Sequence, residues 1–239
     1  MNLKKMFLTK NDCYKAGRTI TPKGIMVHST GANNPWLKRY IGPDDGLLGN
    51  NPNNNHWNRS GVGKCAHAFI GKLADGSIAT YQILPWNYRG SHSGGSANNT
   101  HISFEICEDG LTDSAYFKKV YQEAVELCVY LCKEYGLTEK DIICHSEGYK
   151  KGIASNHGDV MHWFPKHGKS MDTFRADVKA LLNQQVAPKE LTTVNDIVWE
   201  LSHRGIISDS ALWLKKLDED TNAYWLARKM VNFLRSKGV

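Results

Sequence analysis

The chain has 239 residues, of which 41% are hydrophobic and 10% aromatic, and its formal net charge is +6. This length suits one sizeable domain with a small second one, and the composition is typical of a globular protein. The positive charge is spread along the chain instead of forming a basic stripe, which argues against nucleic-acid binding. No run approaches the about 18 apolar residues of a membrane span, so we expect no stable membrane insertion.

The amino-terminal segment over 1–17 contains basic residues but lacks the apolar core, about 7–15 residues long, of a secretory signal peptide. We therefore expect a protein that is made in the cytoplasm. If it acts outside the cell, another process must release it.

The first half of the chain predicts strands around a long loop. Residues 24–28, GIMVH, form an apolar run that predicts a strand ending in His28. Residues 31–63 are rich in Gly, Asn and Pro and predict a loop. Residues 65–84 alternate on either side of an Ala-Asp-Gly turn, which is typical of a hairpin, and 100–107, THISFEIC, predict another strand.

The next segment predicts two helices around a short strand. Apolar residues recur at three- and four-residue intervals over 114–135 and predict a helix that ends at Gly136. Residues 141–145, DIICH, repeat the pattern of a brief apolar strand ending in a histidine. A second helix is predicted over 170–185, with Ser170 or Asp172 near its start.

The last fifty residues predict a separate unit. The periodicity lapses over 186–192, which indicates a linker between a domain at 1–185 and a small helical domain at 193–239. Two or three amphipathic helices are predicted there, with Ser208 or Asp209 as an N-cap. We expect three tryptophans to supply much of the small core, with a binding face as the alternative role: Trp199, Trp213 and Trp225.

The six cysteines show neither a CxxC pair nor the spacing of a disulfide scaffold. Cys128 and Cys132 lie four residues apart on the apolar side of the first long helix, as buried thiols would. We therefore interpret the cysteines as structural.

The two histidines at strand ends predict a metal site. Neighbouring strand ends of a mixed sheet can bring His28 and His145 together, and imidazole is a common zinc ligand. A catalytic zinc keeps three protein ligands and a water in the fourth position. The segment after His145 offers three candidates for the third ligand: His157, Asp159 and His162.

Four ordered motifs, GIMVHST, AHAFIGKLADGSI, SHSGGSANNTHISFEIC and DIICHSEG…NHGDV, resemble the type 2 N-acetylmuramoyl-L-alanine amidases. These zinc enzymes are related to peptidoglycan recognition proteins and bacteriophage endolysins. The resemblance covers about 20–182 and implies an α/β fold, with a central mixed β-sheet flanked by helices and zinc at one sheet end. It also implies hydrolysis of the amide bond between N-acetylmuramic acid and the L-alanine of peptidoglycan, which lyses bacterial cell walls.

The resemblance also implies site residues. It assigns Zn2+ to His28, His145 and Asp159, although the fourteen-residue spacing from His145 to Asp159 exceeds the family's and leaves His162 as a competitor. Residues 147–155 are interpreted as an inserted loop. Glu105 matches the family's catalytic carboxylate and His157 its transition-state donor, while His92, Asn99 and Trp57 are expected to contact substrate; His67 is a further candidate to line the groove.

Two other functions compete with a zinc amidase. Some relatives keep the fold, lose a zinc ligand and only bind peptidoglycan, but all three ligand positions are filled here. A cysteine hydrolase using Cys144 is disfavoured, because Cys144 and His145 are neighbours on a predicted strand and should point to opposite faces.

The resemblance further implies an endolysin of a bacteriophage or prophage, with antimicrobial action. We expect synthesis in the host cytoplasm and release to the cell wall through a holin-type pore. Lysins of this type often append a module after the catalytic domain, so the unit at 193–239 is expected to bind the cell wall or to mediate self-association.

Overall fold

The protein was analysed as a computed structural model that describes residues 1–183, 191, 193–204 and 206–237. The chain divides into two compact units, Met1–Asn183 and Gln184–Val239. The linker predicted for 186–192 lies outside the described residues except for Leu191. Among the described helices, none combines the length and the apolar character that crossing a membrane requires.

The first unit is built on a mixed sheet, as the resemblance implies, and the sheet has six strands. The strand order is β1-β4-β3-β5-β2-β6; β3, β5, β2 and β6 run parallel to one another, while β4 and β1 run in the opposite direction. The strands are β1 (Leu3–Lys5), β2 (Gly24–Asn33), β3 (Ala68–Lys72), β4 (Ile78–Gln82), β5 (His101–Glu108) and β6 (Ile142–Cys144).

The hairpin between β3 and β4 confirms the prediction for 65–84. The two strands pair antiparallel, with Phe69 opposite Tyr81. Gly76 has a φ of 83°, which a residue with a side chain rarely adopts, and the Asp75 carboxylate accepts a hydrogen bond from the Ser77 backbone N–H. The Ala-Asp-Gly turn therefore has the local chemistry that its sequence indicates.

Four helices accompany the sheet. The helices predicted near 114–135 and 170–185 are confirmed: Asp113 caps the first at its start and Gly136, with a φ of 65°, ends it. Two short helices and the strand β1 were not predicted. The helices are α1 (Asp12–Ala16), α2 (Ser114–Tyr135), α3 (His145–Lys150) and α4 (Met171–Asn183), with 3-10 turns at Leu37–Arg39, Ser96–Asn99, Glu139–Asp141 and Phe164–His167.

The two faces of the sheet pack against different residues, and the alternation of side chains along β2 determines the face on which His28 lies. Ile25 and Val27 are buried in the core that also contains the apolar face of α2, whereas Met26 belongs to a separate small cluster. Because successive side chains of a strand alternate between faces, His28 lies on the face opposite α2. Its register partner on β5 is Glu105, so the two side chains lie on the same face.

The second unit consists of three helices, α5 (Val194–His203), α6 (Ser210–Glu219) and α7 (Thr221–Lys237). Asp209 caps α6, as predicted. Glu200 of α5 binds Arg204 and Arg235, and these contacts lower the pKa of its carboxyl group to about 2.

The expectation that three tryptophans build the core of this unit is correct for one of them. Trp213 packs against the buried cluster, but 63% of Trp199 and 50% of Trp225 are exposed. Aliphatic residues fill the core instead: Leu191, Ile197, Val198, Leu201, Ile207, Leu217, Ala227 and Val231.

Candidate metal centre

Strand pairing brings the two predicted histidines together. Val27 of β2 pairs with Cys144 of β6, and the residue that follows each of them along the chain is a histidine. The sequence predicts that both histidines end a strand, and this is wrong for each. β6 ends at Cys144, so His145 is the first residue of α3, and β2 continues past His28 to Asn33. His28 and His145 are both buried at this carboxyl edge of the sheet.

Asp159 completes a cluster of three donor atoms. The Nδ1 atoms of His28 and His145 lie 3.1 Å apart, His28 Nδ1 lies 3.0 Å from Asp159 Oδ2, and His145 Nδ1 lies 3.6 Å from Asp159 Oδ1. All three donor atoms fall within 4.8 Å of one another. Two imidazole nitrogens and a carboxylate at such separations could hold a divalent metal ion.

The protonation states of the cluster suit a metal ion. Burial lowers the pKa of His145 to about 4, which keeps its imidazole neutral. Burial alone would raise the pKa of Asp159, but the hydrogen bond from His28 and the nearby histidine charges lower it overall. Burial likewise opposes charge on His28, yet Asp159 and Glu105 raise its pKa, so metal binding would displace a proton held between His28 and Asp159.

The outer ring nitrogen of His145 is held by Ser155. The Ser155 Oγ lies 3.3 Å from His145 Nε2 and donates its own hydrogen to the Ser93 carbonyl oxygen at 3.1 Å. The Oγ therefore accepts from His145 Nε2–H, which leaves the Nδ1 lone pair directed into the cluster. No sequence motif marks Ser155, which lies in the segment interpreted as an inserted loop; in the structure the first part of that segment is α3.

His92 holds the outer nitrogen of His28. Its Nδ1 lies 3.0 Å from His28 Nε2, and burial lowers its pKa well below the ordinary value. A neutral His92 can therefore accept a hydrogen bond from His28. Its own Nε2 is buried without a hydrogen-bond partner among the described residues. The contact with substrate predicted for His92 stays a prediction beside this contact with His28.

Glu105 and His157 lie beside the cluster in different surroundings. Glu105 is the register neighbour of His28, its Oε2 atom is buried without a partner in the described chain, and burial raises its pKa to about 7. His157 is exposed; its ring centre lies 4.6 Å from that of His145, and its Nδ1 lies 3.1 Å from Ser155 Oγ. The site thus combines a buried carboxyl group with an accessible imidazole.

Other predicted residues lie apart from the three donor atoms. His162, the competitor for the third ligand position, contacts the buried Glu108 carboxylate at 2.9 Å. Trp57 packs edge-on against Phe69 at 4.8 Å between ring centres. Asn99 is exposed just before β5 and accepts a hydrogen bond from Arg89 at 2.6 Å.

Two further candidates from the sequence, His67 and Cys144, are fully buried. His67 is buried, with its ring nitrogens held by the Tyr88 carbonyl oxygen and the Ser103 backbone N–H, and burial lowers its pKa to about 4. Cys144 lies in the core beneath α2, where burial raises the pKa of its thiol. A buried thiol of raised pKa is a poor nucleophile, which argues against a cysteine hydrolase.

Comparison with known families gives one match within the chain. The family profile described as N-acetylmuramoyl-L-alanine amidase matches residues 18–160. This range contains the three clustered donors and both residues beside them. No curated protein sequence matches the chain.

Comparison with solved structures gives the same fold. The catalytic domain of XlyA is 22% identical with a TM-score of 0.52, over 74% of this chain and 99% of that one. The PlyG catalytic domain is 21% identical with a TM-score of 0.53, over 79% of this chain and 100% of that one. The Staphylococcus aureus hydrolase AmiA, solved in complex with its ligand, is 17% identical with a TM-score of 0.53, over 76% of this chain and 83% of that one.

Proposed function

The chain belongs to the N-acetylmuramoyl-L-alanine amidase family, and we propose that it uses zinc to hydrolyse the bond between N-acetylmuramic acid and L-alanine in peptidoglycan. One observation carries the proposal: His28, His145 and Asp159 bring three donor atoms within 4.8 Å of one another, beside a buried oxygen of Glu105 that has no hydrogen-bond partner among the described residues. A module that only binds peptidoglycan would need neither this donor set nor that carboxyl group.

Zinc is the metal that best fits these residues. Bonds of about 2.0–2.1 Å in a tetrahedral site place neighbouring donor atoms about 3.3 Å apart. His28 Nδ1 lies 3.1 Å from His145 Nδ1 and 3.0 Å from Asp159 Oδ2, both close to that value, while His145 Nδ1 lies 3.6 Å from the other carboxylate oxygen, Asp159 Oδ1. A zinc ion held by these donors supplies Lewis acidity, which eases deprotonation of water and polarises a carbonyl group.

Glu105 is the proton carrier of the proposed reaction. With its pKa raised to about 7, the carboxyl group can take a proton from the attacking water and release it near neutral pH. The same group then gives the proton to the departing alanine nitrogen. Because Glu105 pairs in register with His28, its carboxyl group lies next to the proposed metal ligands.

His157 is the proposed donor to the substrate oxygen. Because the Ser155 hydrogen goes to the Ser93 carbonyl oxygen, His157 Nδ1 donates to Ser155 Oγ. In the imidazolium form, His157 Nε2–H can then donate a hydrogen bond to the oxygen that becomes negative during attack on the amide. Its exposure beside the buried His145 gives a substrate access to it. Trp57, Asn99 and His92 are proposed to contact the sugar and the peptide.

The setting that fits this activity is that of a phage or prophage endolysin that lyses the cell wall. A mutant endolysin from Bacillus subtilis is 22% identical, with a TM-score of 0.50 over 74% of this chain. We propose synthesis in the host cytoplasm, with release through a holin-type pore before the enzyme reaches peptidoglycan.

The second unit is proposed to bind the wall, with self-association as the alternative. Three exposed apolar residues of α7, Leu226, Met230 and Phe233, recur at intervals of four and three and therefore share one face of the helix. The basic Arg228 and Lys229 belong to the same helix. Apolar side chains with nearby cations suit a polymer that carries both sugars and negative charge.

The bond that is cut tests the activity directly. Purified protein added to Gram-positive walls should lower the turbidity and expose new amino-terminal alanines, without new reducing sugar ends. A zinc chelator should stop both changes, and added zinc should restore them. New reducing ends without alanines would identify a glycosidase and contradict the proposal.

Metal content tests the ligand assignment. The wild type should hold about one zinc ion per chain. His28→Ala and Asp159→Ala should lose most of this zinc, because the two donors that remain bind it weakly. His162→Ala serves as the control and should keep its zinc, since His162 contacts Glu108 instead. Full zinc content in Asp159→Ala together with its loss in His162→Ala would exchange the two assignments.

Substitution of the two residues beside the ligands separates catalysis from metal binding. Glu105→Gln and His157→Ala should keep zinc but lower kcat/KM for alanine release about 10²–10³-fold. Glu134→Gln, on the exposed side of α2, is the matched control and should act like wild type. Normal activity in Glu105→Gln would remove Glu105 from proton transfer.

The exposed face of α7 can be tested by two matched substitutions. The double substitution Leu226→Gln and Phe233→Gln should reduce sedimentation of the protein with cell walls, as deletion of 189–239 should. The molecular mass of the doubly substituted protein in solution, which reports its oligomeric state, should stay that of wild type. Leu47→Gln, at an exposed leucine of the first unit, is the control and should sediment normally. Unchanged sedimentation together with a lower mass in solution would instead assign the face to self-association.

A further inference from the structure

A pocket outside the metal centre opens in the long loop of the first unit. It has a volume of about 220 Å³ and is lined by eight residues of the segment 34–55, and we call it the loop pocket. Its lining consists of four asparagines, a lysine, an arginine, a proline and a tryptophan, and none of these residues is acidic. None of the site residues predicted from the sequence belongs to this lining.

Hydrogen bonds hold the walls of the loop pocket in place. The Pro35 carbonyl oxygen accepts from the Lys72 backbone N–H at 2.7 Å, which ties the start of the pocket segment to the end of β3. The Asn51 side chain donates to the Lys38 carbonyl oxygen at 2.8 Å and to Asn55 Oδ1 at 3.1 Å. The pocket is therefore formed before any ligand arrives, as small-molecule sites usually are.

The two cations of the loop pocket lack acidic partners. In the described part of the chain, neither Lys38 nor Arg39 forms an ion pair with a carboxylate. Arg39 Nη1 donates to the Asn55 carbonyl oxygen at 2.7 Å, which holds the guanidinium group without neutralising its charge. Lys38 Nζ lies 5.8 Å from the centre of the Trp36 ring. Two unpaired positive charges at the wall of one pocket attract an anion.

Trp36 and the asparagines supply contacts of a different kind. Trp36 is half-buried, and its indole ring offers a flat apolar surface against which the apolar face of a sugar ring can pack. Asn34 Oδ1 accepts from the Trp36 backbone N–H at 3.1 Å, which leaves the Asn34 amide hydrogens to bind a hydroxyl group. An aromatic ring, side-chain amides and unpaired cations together suit a sugar that carries a negative group.

We infer that the loop pocket binds a sugar that carries a phosphate group. The sugar ring packs against Trp36, and its hydroxyl groups bind the side-chain amides of Asn34 and Asn53. The phosphate oxygens accept hydrogen bonds from Lys38 Nζ and lie near the guanidinium group of Arg39. Phosphate matches this pair of cations better than a carboxylate does, because a phosphate monoester carries close to two negative charges at neutral pH.

The loop pocket and the metal centre share the carboxyl edge of the sheet without sharing residues. The strand β2 continues from His28 to Asn33, which pairs with Glu108 of β5, and Asn34 of the pocket follows directly. Glu108 lies three residues beyond Glu105, which is about 10 Å along the strand. In a cell wall, a phosphate-bearing sugar in the pocket would hold the enzyme beside the amide that it cuts. This consequence rests on the proposed function, whereas the binding itself does not.

Titration of the full chain with glucose 6-phosphate provides the test. The NMR signal of the Trp36 indole N–H should shift and saturate, with a Kd of about 1 mM or tighter. Glucose and inorganic phosphate should each bind at least about tenfold more weakly, because each makes only part of the contacts. Equal binding of glucose or of inorganic phosphate, or no shift of the Trp36 signal, would overturn the inference.

The same titration after treatment with a zinc chelator separates the loop pocket from the metal centre. Phosphate oxygens also bind zinc, so a ligand at the metal centre would be lost with the metal. The shift of the Trp36 signal should instead persist with the same Kd, and its loss would contradict binding in the pocket. Because this measurement requires no cleavage of peptidoglycan, a failure of the proposed activity would not affect it.

Single substitutions, measured by titration calorimetry, assign the contacts within the loop pocket. Lys38→Gln should weaken the binding of glucose 6-phosphate about tenfold, and Trp36→Leu should weaken it to a similar extent. Lys216→Gln is the matched control and should bind as wild type does, since Lys216 also lies over a tryptophan ring, that of Trp213 at 5.4 Å, but belongs to the second unit. Wild-type affinity in Lys38→Gln would contradict the assigned phosphate contact. The titration of the unsubstituted chain stays decisive even where a variant fails to fold.

Discussion

The register between β2 and its two neighbours is the constraint on which the site depends. Pairing of Val27 with Cys144 places the residues that follow them, His28 and His145, side by side where β6 ends, and pairing of His28 with Glu105 places the carboxyl group next to them. A shift of β2 by one residue would turn His28 toward the core beneath α2 and Val27 toward the cluster. The apolar residues that alternate with His28 oppose such a shift, since Ile25 and Val27 are fully buried. Core packing thus fixes the positions of the proposed metal ligands although it does not touch them.

A second set of contacts orients what the register brings together. An imidazole can present either nitrogen to a metal, and its other nitrogen decides which one is free. Ser155 occupies the outer nitrogen of His145, while His92 occupies that of His28. Both residues come from loops that meet where Ser155 contacts the Ser93 carbonyl oxygen. The position of Ser155 also links His145 to His157, so one hydroxyl group aligns a ligand and the proposed oxyanion donor.

The parts of this molecule that the sequence predicts are those with a local signal. The hairpin, α2, α4, β6 and the first part of β2 each follow from periodicity or turn chemistry within a few residues. The elements that were missed are short, and β1 and α1 are held by distant partners: α1 docks through Asn11 on the carbonyl oxygens of Trp57 and Lys64. The same limit applies to Ser155, because hydrogen bonds between loops have no periodicity. Asp159 and His162 illustrate it as well, since three residues separate them in sequence and only the fold shows which one faces His28.

The long loop at 31–63 forms the layer on the face of the sheet that carries His28. Helices α2 and α4 cover one side, but on the other side loop side chains fill the layer: Tyr40 stacks on Phe69 at 4.9 Å between ring centres, and Trp57 meets the same ring edge-on. Phe69 pairs in register with Glu105, so this packing ends beside the carboxyl group. Loop backbone must satisfy its polar groups without a regular ladder, and asparagines do so here, as when Asn58 donates to the Gly42 carbonyl oxygen at 2.8 Å. A loop held by side chains thus takes the place on this face that helices take on the other.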